Sequence, residues 1–181
     1  CIVVNWPSDV SLAVNLSPLQ IRAPGAALGI INALRTANLD PARLELEVTE
    51  SLFVDDNHAT SAFIDDLSER GVKFALDDFG TGYASMSALQ KLPFDTIKID
   101  REFVMDIHKR PESRAICASL LALGNGLGLN VLAEGTETAE EVEVLANMGC
   151  RYFQGYYFSR PVPLAEVEGV FSDLCDDRLA G

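Results

Sequence analysis

Six short apolar segments, at 11–16, 44–49, 72–77, 96–100, 130–134 and 151–154, are separated by longer stretches of helical period. Runs of strand length joined through helices need long crossover connections, so the chain is predicted to form right-handed βαβ units and a mostly parallel sheet. The helical stretches carry their own signals. Ile116, Leu120, Leu123 and Leu127 repeat at helical spacing, Thr138 with Glu141 reads as a capping box, and Gly71, Gly128 and Gly149 stand where helices should stop. No internal repeat or low-complexity linker divides the chain, so residues 1–181 read as one domain.

Alternation within the strands separates a barrel from an open sheet. Successive strand side chains point to opposite faces, so Val72, Phe74 and Leu76 share one face and Lys73, Ala75 and Asp77 the other. Glu47 lies opposite Leu46 and Val48, Asn15 opposite Val14 and Leu16, and Lys98 opposite Ile97 and Ile99. With Glu134 and Gln154 added, every strand ends on a polar residue aimed at a common point, as at the C-terminal end of a β/α barrel. The fold expected is α/β, a modified β/α (TIM-like) barrel.

Charge narrows the function. Fourteen Lys and Arg against 27 Asp and Glu leave a net charge of −13, which repels a polyphosphate backbone and argues against a DNA or RNA polymer as partner. Clustered acids suit divalent cations instead. Cys1, Cys117, Cys150 and Cys175 contain no C-x-x-C pair, so reduced, structural thiols are expected rather than zinc or disulfides. No apolar run reaches the length of a membrane span and no signal peptide is visible, so a cytoplasmic location is expected. The chain opens on Cys1 within an apolar run, and a segment upstream of it is expected to have been removed.

Asp77 and Asp78 are adjacent, and a regular strand would send them to opposite faces. Both reach one site if the strand ends there, with Phe79-Gly80-Thr81-Gly82-Tyr83 supplying the turn. Two carboxylates about 4 Å apart repel by roughly 4 kcal/mol at an effective dielectric near 20. Glu47 and Glu134 would add to that repulsion, and a divalent cation would remove it. Oxygen donors without His or Cys suit Mg²⁺ or Mn²⁺ rather than Zn²⁺, and neither His58 nor His108 falls in the constellation.

These residues carry a resemblance. Val14-Asn15-Leu16-Ser17, Glu47-Val48-Thr49-Glu50-Ser51, Asp77 through Tyr83, Lys98-Ile99-Asp100, Ala133-Glu134-Gly135-Thr136-Glu137-Thr138 and Gln154-Gly155-Tyr156-Tyr157-Phe158-Ser159-Arg160-Pro161 stand in order along the chain. Together they resemble the EAL-domain cyclic di-GMP phosphodiesterases over nearly its whole length. The resemblance implies hydrolysis of cyclic di-GMP to linear pGpG with two Mg²⁺ or Mn²⁺ ions. It implies Asn15, Glu47, Asp77, Asp78 and Glu134 as metal ligands, Lys98 holding the nucleophilic water, and Gln154 bonding near water and substrate. Asp100, Arg160 and Pro161 would contact substrate, the last two at the guanine pocket. Glu50 would brace the loop of Phe79, Gly80 and Gly82, which in the family connects the metal site to a homodimer interface. A sensor or GGDEF (diguanylate cyclase) domain is a possible attachment in the full-length protein.

The chain departs from the family in places. Thr136 stands where the family usually has Val, and Ala84 and Met86 replace the usual Ser and Leu. The Glu-Ala-Leu tripeptide, whose Glu is a family metal ligand, belongs upstream of Cys1, together with the first barrel strands and a phosphate-contacting Arg. Without that Glu, a catalytically inactive cyclic di-GMP receptor or partner-binding module is the alternative, and the chain alone is expected to be poorly active. A sugar-phosphate enzyme on a similar barrel would need more cationic groups than Lys98. Tyr152, Tyr156, Tyr157 and Phe158 read as core more readily than as base-stacking groups, and Trp6 as packing.

Overall fold

A parallel strand can pair with its successor only after the chain has crossed back over the sheet, and five such crossovers shape this molecule. The computed structural model describes residues 6–53, 58–80, 89 and 91–171. Strands β1 (Leu12–Asn15), β2 (Leu44–Thr49), β3 (Lys73–Phe79), β4 (Thr96–Ile99), β5 (Asn130–Glu134) and β6 (Tyr152–Gln154) pair in chain order, every pairing parallel. They form a curled half-barrel covered by helices. The six strands fall on the six segments read from the sequence, with ends shifted by one or two residues.

The helices are α1 (Pro18–Ile21), α2 (Ala26–Ala37), α3 (His58–Ser68), α4 (Arg101–Val104), α5 (Pro111–Leu127) and α6 (Ala139–Asn147). Between them and the sheet lies the core, where Leu46, Val48, Phe74, Leu76, Ile97, Ile99 and Ala133 meet Leu34, Ile64, Leu67, Leu121 and Leu145. Each strand contributes alternate residues to this layer, so the remaining alternate residues line the inner face. Among the described residues no helix is long and apolar enough to cross a membrane.

Helix α5 corrects one expectation. The buried stripe is Ser113, Cys117, Leu120, Leu121 and Gly124, while Ile116 and Leu127 are exposed. Gly124 explains the rotation: a Cβ there would lie 2.2 Å from Val131 Cγ2, so the helix turns its bare backbone against β5. Gly128 closes α5 in the left-handed region, as the sequence suggests. Arg43 ties the segment before β1 to β2, donating from Nε to the Val10 carbonyl at 2.9 Å and from Nη2 to the Pro7 carbonyl at 3.0 Å. Trp6 packs edge-on to Phe171 with ring centroids 5.2 Å apart, the packing role expected of it. Cys117 and Cys150 are buried free thiols, and burial pushes both pKa values up, that of Cys117 to about 11. Cys1 and Cys175 lie outside the described residues.

Candidate active site

Register brings the inner-face polar groups together at the C-terminal ends of the strands. Asn15 pairs with Glu47, Thr49 with Asp77, and Glu134 with Gln154. Lys98 sits between the two halves of this arc on β4, its side chain 2% exposed. Its Nζ lies 2.7 Å from Glu47 Oε1, 2.5 Å from Glu134 Oε1 and 3.4 Å from Asp77 Oδ1. Ala75, buried on the inner face of β3, leaves room beside the Glu47–Lys98 pair.

The pair Asp77-Asp78 is solved differently from the sequence expectation. Strand β3 does not end at Asp77 but continues through Phe79. Its register against β4 shifts between Leu76 and Phe79, and Asp78 sits in the left-handed region at φ 56°. A bulge inserts one extra residue and re-aims the side chains around it, so both aspartates reach one site inside a strand. Asp77 Oδ1 accepts the backbone N–H of Asp78 at 3.0 Å, which sets the bend. Left-handed backbone costs a non-glycine residue energy, and Asp tolerates it better than most.

Oxygens of Asp77, Asp78 and Glu134 all lie within 4.8 Å of one another. One ammonium faces the four carboxylates of Glu47, Asp77, Asp78 and Glu134, and three negative charges remain uncompensated when all are ionised. The pKa values shift accordingly. Glu134 is pushed up to about 7, chiefly by burial, with Asp77 and Glu47 adding repulsion and Lys98 opposing it. Asp78 is raised by burial, by Asp77 and by a side-chain hydrogen bond with Asp100. Burial works to lower Lys98, yet its hydrogen bonds to Glu134 and Glu47 outweigh this and hold the ammonium above its ordinary range. An all-oxygen donor set with excess negative charge fits a hard divalent cation such as Mg²⁺ or Mn²⁺.

Around this centre the other expected residues are placed unevenly. Glu50 Oε1 accepts the N–H of Gly80 at 2.7 Å, joining the end of β2 to the loop after β3. Phe79 is core and Gly80 has φ 101°, a conformation suited to glycine, whereas Gly82, Tyr83, Ala84 and Met86 lie outside the described residues. Asp100 caps α4, its Oδ1 accepting from Glu102 N at 2.6 Å, and it also meets Asp78, which brings a fifth acid to the cluster that alternation alone did not place there. Asn15 and Gln154 are exposed at the two edges of the half-barrel. Arg160 stacks its guanidinium 4.7 Å over the Tyr156 ring, and Pro161 is exposed beside it. Tyr152, Tyr156, Tyr157 and Phe158 are not core: each is between 39% and 49% exposed. Tyr152 opens the edge strand β6 and the other three follow it, and that strand has a neighbour on one side only.

Two residues of the Ala133–Thr138 motif take supporting roles that the sequence reading did not give them. Gly135, at φ 70°, passes so close to Arg101 that a Cβ would lie 2.4 Å from its Cγ. Thr136, fully buried, donates N–H to the Gln154 carbonyl at 3.2 Å, and its Oγ1 lies 3.3 Å from the same oxygen. A glycine three residues before the Thr138 cap was the available signal for the first. A second acid group, Asp106 and Glu141 beside His108, also lies within metal-ligand spacing. Glu141 already accepts from the N–H groups of Asp106, Glu137 and Thr138, and Asp106 pairs with Lys109 at 2.7 Å.

The family model described as the EAL domain matches residues 2–161. The chain belongs to the EAL domain family. Among curated EAL relatives, the bifunctional diguanylate cyclase/cyclic di-GMP phosphodiesterase MucR of Pseudomonas aeruginosa is 40% identical over 160 residues, which is 88% of this chain and 23% of MucR. The cyclic di-GMP phosphodiesterase PdeR of Escherichia coli is 35% identical over 88% of this chain and 24% of its own length. The chain spans between a fifth and a quarter of the length of these curated relatives. A solved MucR phosphodiesterase in complex with cyclic di-GMP superposes with a TM-score of 0.85 at 39% identity, over 91% of this chain and 67% of that one. Klebsiella pneumoniae BlrP1, solved with manganese and cyclic di-GMP, gives 0.77 at 39% identity over 83% of this chain and 39% of that one. The EAL fold of those neighbours is the TIM-like barrel anticipated from strand alternation.

Proposed function

We propose that this EAL domain hydrolyses cyclic di-GMP to linear pGpG with two divalent cations, Mg²⁺ or Mn²⁺. The observation that carries the proposal is the convergence of Asp77, Asp78 and Glu134 with Glu47 on one buried ammonium, an arrangement whose negative charge exceeds what the chain itself neutralises. Asn15, Glu47, Asp77, Asp78 and Glu134 would hold the ions. Bound there, they would supply Lewis-acid activation of water and stabilisation of charge on the phosphate.

The chain's own groups do the rest. Lys98 Nζ, fixed by Glu47 and Glu134, donates to the attacking water and keeps it oriented. Glu134, with a carboxyl titrating near 7, lies beside Lys98 Nζ. Gln154, paired in register with Glu134, offers its carboxamide to water and substrate. Asp100 would contact the substrate, and Arg160 and Pro161 would line the pocket for its guanine. Glu50, through Gly80, braces the loop after Asp78. Homodimer formation, an attached GGDEF or sensor domain and a cytoplasmic location belong to the same proposal, the attached domain being supported by the bifunctional MucR relative.

Product chromatography tests it. Incubated with cyclic di-GMP and Mn²⁺, the full-length protein that contains this chain is expected to yield pGpG, and Lys98→Ala or Glu47→Ala to remove turnover while retaining nucleotide binding. Binding without any product in a folded, metal-loaded protein would move the reading to a receptor.

A further inference from the structure

At the N-terminal ends of the strands, away from the acid cluster, a cleft of about 520 Å³ opens between α2, the turn into β2 and the end of α3. Its volume falls within the roughly 300–1,000 Å³ of small-molecule sites. The floor is apolar: Ile31, Leu34, Leu39 and Val72 are all buried. The rim carries two guanidiniums and one carboxylate. Arg35 in the last turn of α2 and Arg70 just beyond α3 both line the cleft, in a chain that has only 14 basic residues against 27 acids. Asn38 and Asp40 complete the rim.

What distinguishes the cleft is that, among the described residues, Arg35 and the Asn38 amide are uncommitted, while Arg70 keeps Nη1 free beside its pairing with Asp66. Arg35 has no side-chain hydrogen bond or ion pair among the described residues, and neither has the Asn38 amide. An arginine near a helix C-terminus often serves the terminal carbonyls. In α2 that service is already rendered, because the backbone N–H groups of Asn38 and Leu39 cap the carbonyls of Leu34 and Arg35. Arg70 uses Nε and Nη2 on Asp66 Oδ1, at 3.2 and 3.0 Å, which anchors its guanidinium at the rim. Asp40 spends Oδ1 on capping the turn, accepting from Ala42 N at 3.0 Å. The excess of donors over available acceptors selects an anion, and the apolar floor selects an organic body behind it.

We propose that this cleft binds a small organic anion, a phosphate or carboxylate carried on an apolar body, with the charged group on Arg35 and Arg70 and the body over Leu39 and Val72. The site is separate from the proposed catalytic centre. Val72 immediately precedes β3, whose seven residues put Asp78 about 20 Å away at the strand rise of about 3.3 Å per residue.

The test is an amide-resolved NMR titration of the protein in chelator, which keeps divalent ions from recruiting the probe to the acid cluster. Phenyl phosphate and phenylacetate are the probes, with inorganic phosphate and phenol as the headgroup and the body alone. Saturable shifts at Asn38, Leu39 and Val72 are expected with at least one of the two full probes, weakened about tenfold by Arg35→Ala. Which probe binds tighter distinguishes phosphate from carboxylate. Arg35 is exposed and has no partner to lose, so the variant is expected to fold, and Arg70→Gln offers an independent second loss. An equal response from parent and Arg35→Ala, a response centred on Asp77 and Glu134, or no saturable response would each overturn the proposal.

Discussion

Acids gather twice, once on the ends of β2, β3 and β5 and once where the loop after α4 meets the start of α6, and the two gatherings are satisfied in opposite ways. Glu141 is 97% buried by exposure, being 3% accessible, and its carboxylate takes three backbone N–H groups from two loops. Burial works to raise its pKa, and the N–H groups of Glu137, Asp106 and Thr138 outweigh that and hold it below the ordinary carboxylate value. Glu134 is surrounded instead by other carboxylates and a single ammonium, and its pKa is pushed up to about 7. The first group is complete in itself and fastens the loop after α4 to the start of α6. The second is left short of positive charge by the chain. Carboxylates with a full set of donors are structure, while carboxylates aimed at one another leave something for a ligand to supply.

The largest expected effect breaks the second group. Replacing Lys98 with Met should leave Glu47, 6% accessible, with its principal partner gone, and cost about 3–5 kcal/mol in chelator by chemical denaturation. A loss below 1 kcal/mol would show that the carboxylates already escape by protonation. Next comes metal: with free Mn²⁺ at about a hundred times its Kd, native-state binding should add about 2.7 kcal/mol. Asp77→Asn should erase most of the accompanying rise in Tm, and an undiminished rise would separate Asp77 from the metal centre.

Smaller effects sharpen the comparison. Glu141→Ala orphans three N–H groups and should cost about 2 kcal/mol while leaving the Mn²⁺-dependent rise in Tm unchanged. The sign with pH follows from the depressed pKa: the contribution is complete above the ordinary value of 4.5 and disappears as pH falls through the lower folded value. Denaturation of parent and variant should therefore converge in acid, and a constant gap would assign the loss to packing. The smallest effect is Asp78→Gly, which relieves the left-handed backbone at φ 56°. In chelator the relief of left-handed backbone, about 1–2 kcal/mol, less glycine's entropic cost of about 0.5–1 kcal/mol, should stabilise the protein by about 0.5–1 kcal/mol, and with Mn²⁺ it should shrink the rise in Tm.

Much of this was legible in one dimension because strand periodicity is local. Which face Asp77, Glu47 and Lys98 share follows from counting residues, and the six strands, the capping box at Thr138 and the helix stop at Gly128 depend on neighbours a few positions away. The order of the motifs, with their resemblance to the EAL phosphodiesterases, led to the family that the comparisons show. Other features needed contacts between distant segments. The rotation of α5 depends on Gly124 meeting Val131, the third donor of Glu141 comes from Asp106, and the exposure of Tyr156 follows from the position of β6 at an edge. The sharpest case is Asp78. Its sequence determined that two adjacent acids need a break in alternation, but only the register shift against β4 decided that the break is a bulge within β3 rather than the end of the strand. Alternation is dictated by each residue's own backbone geometry, whereas register is settled between strands, by which partner's hydrogen bonds and side chains the bent segment must meet.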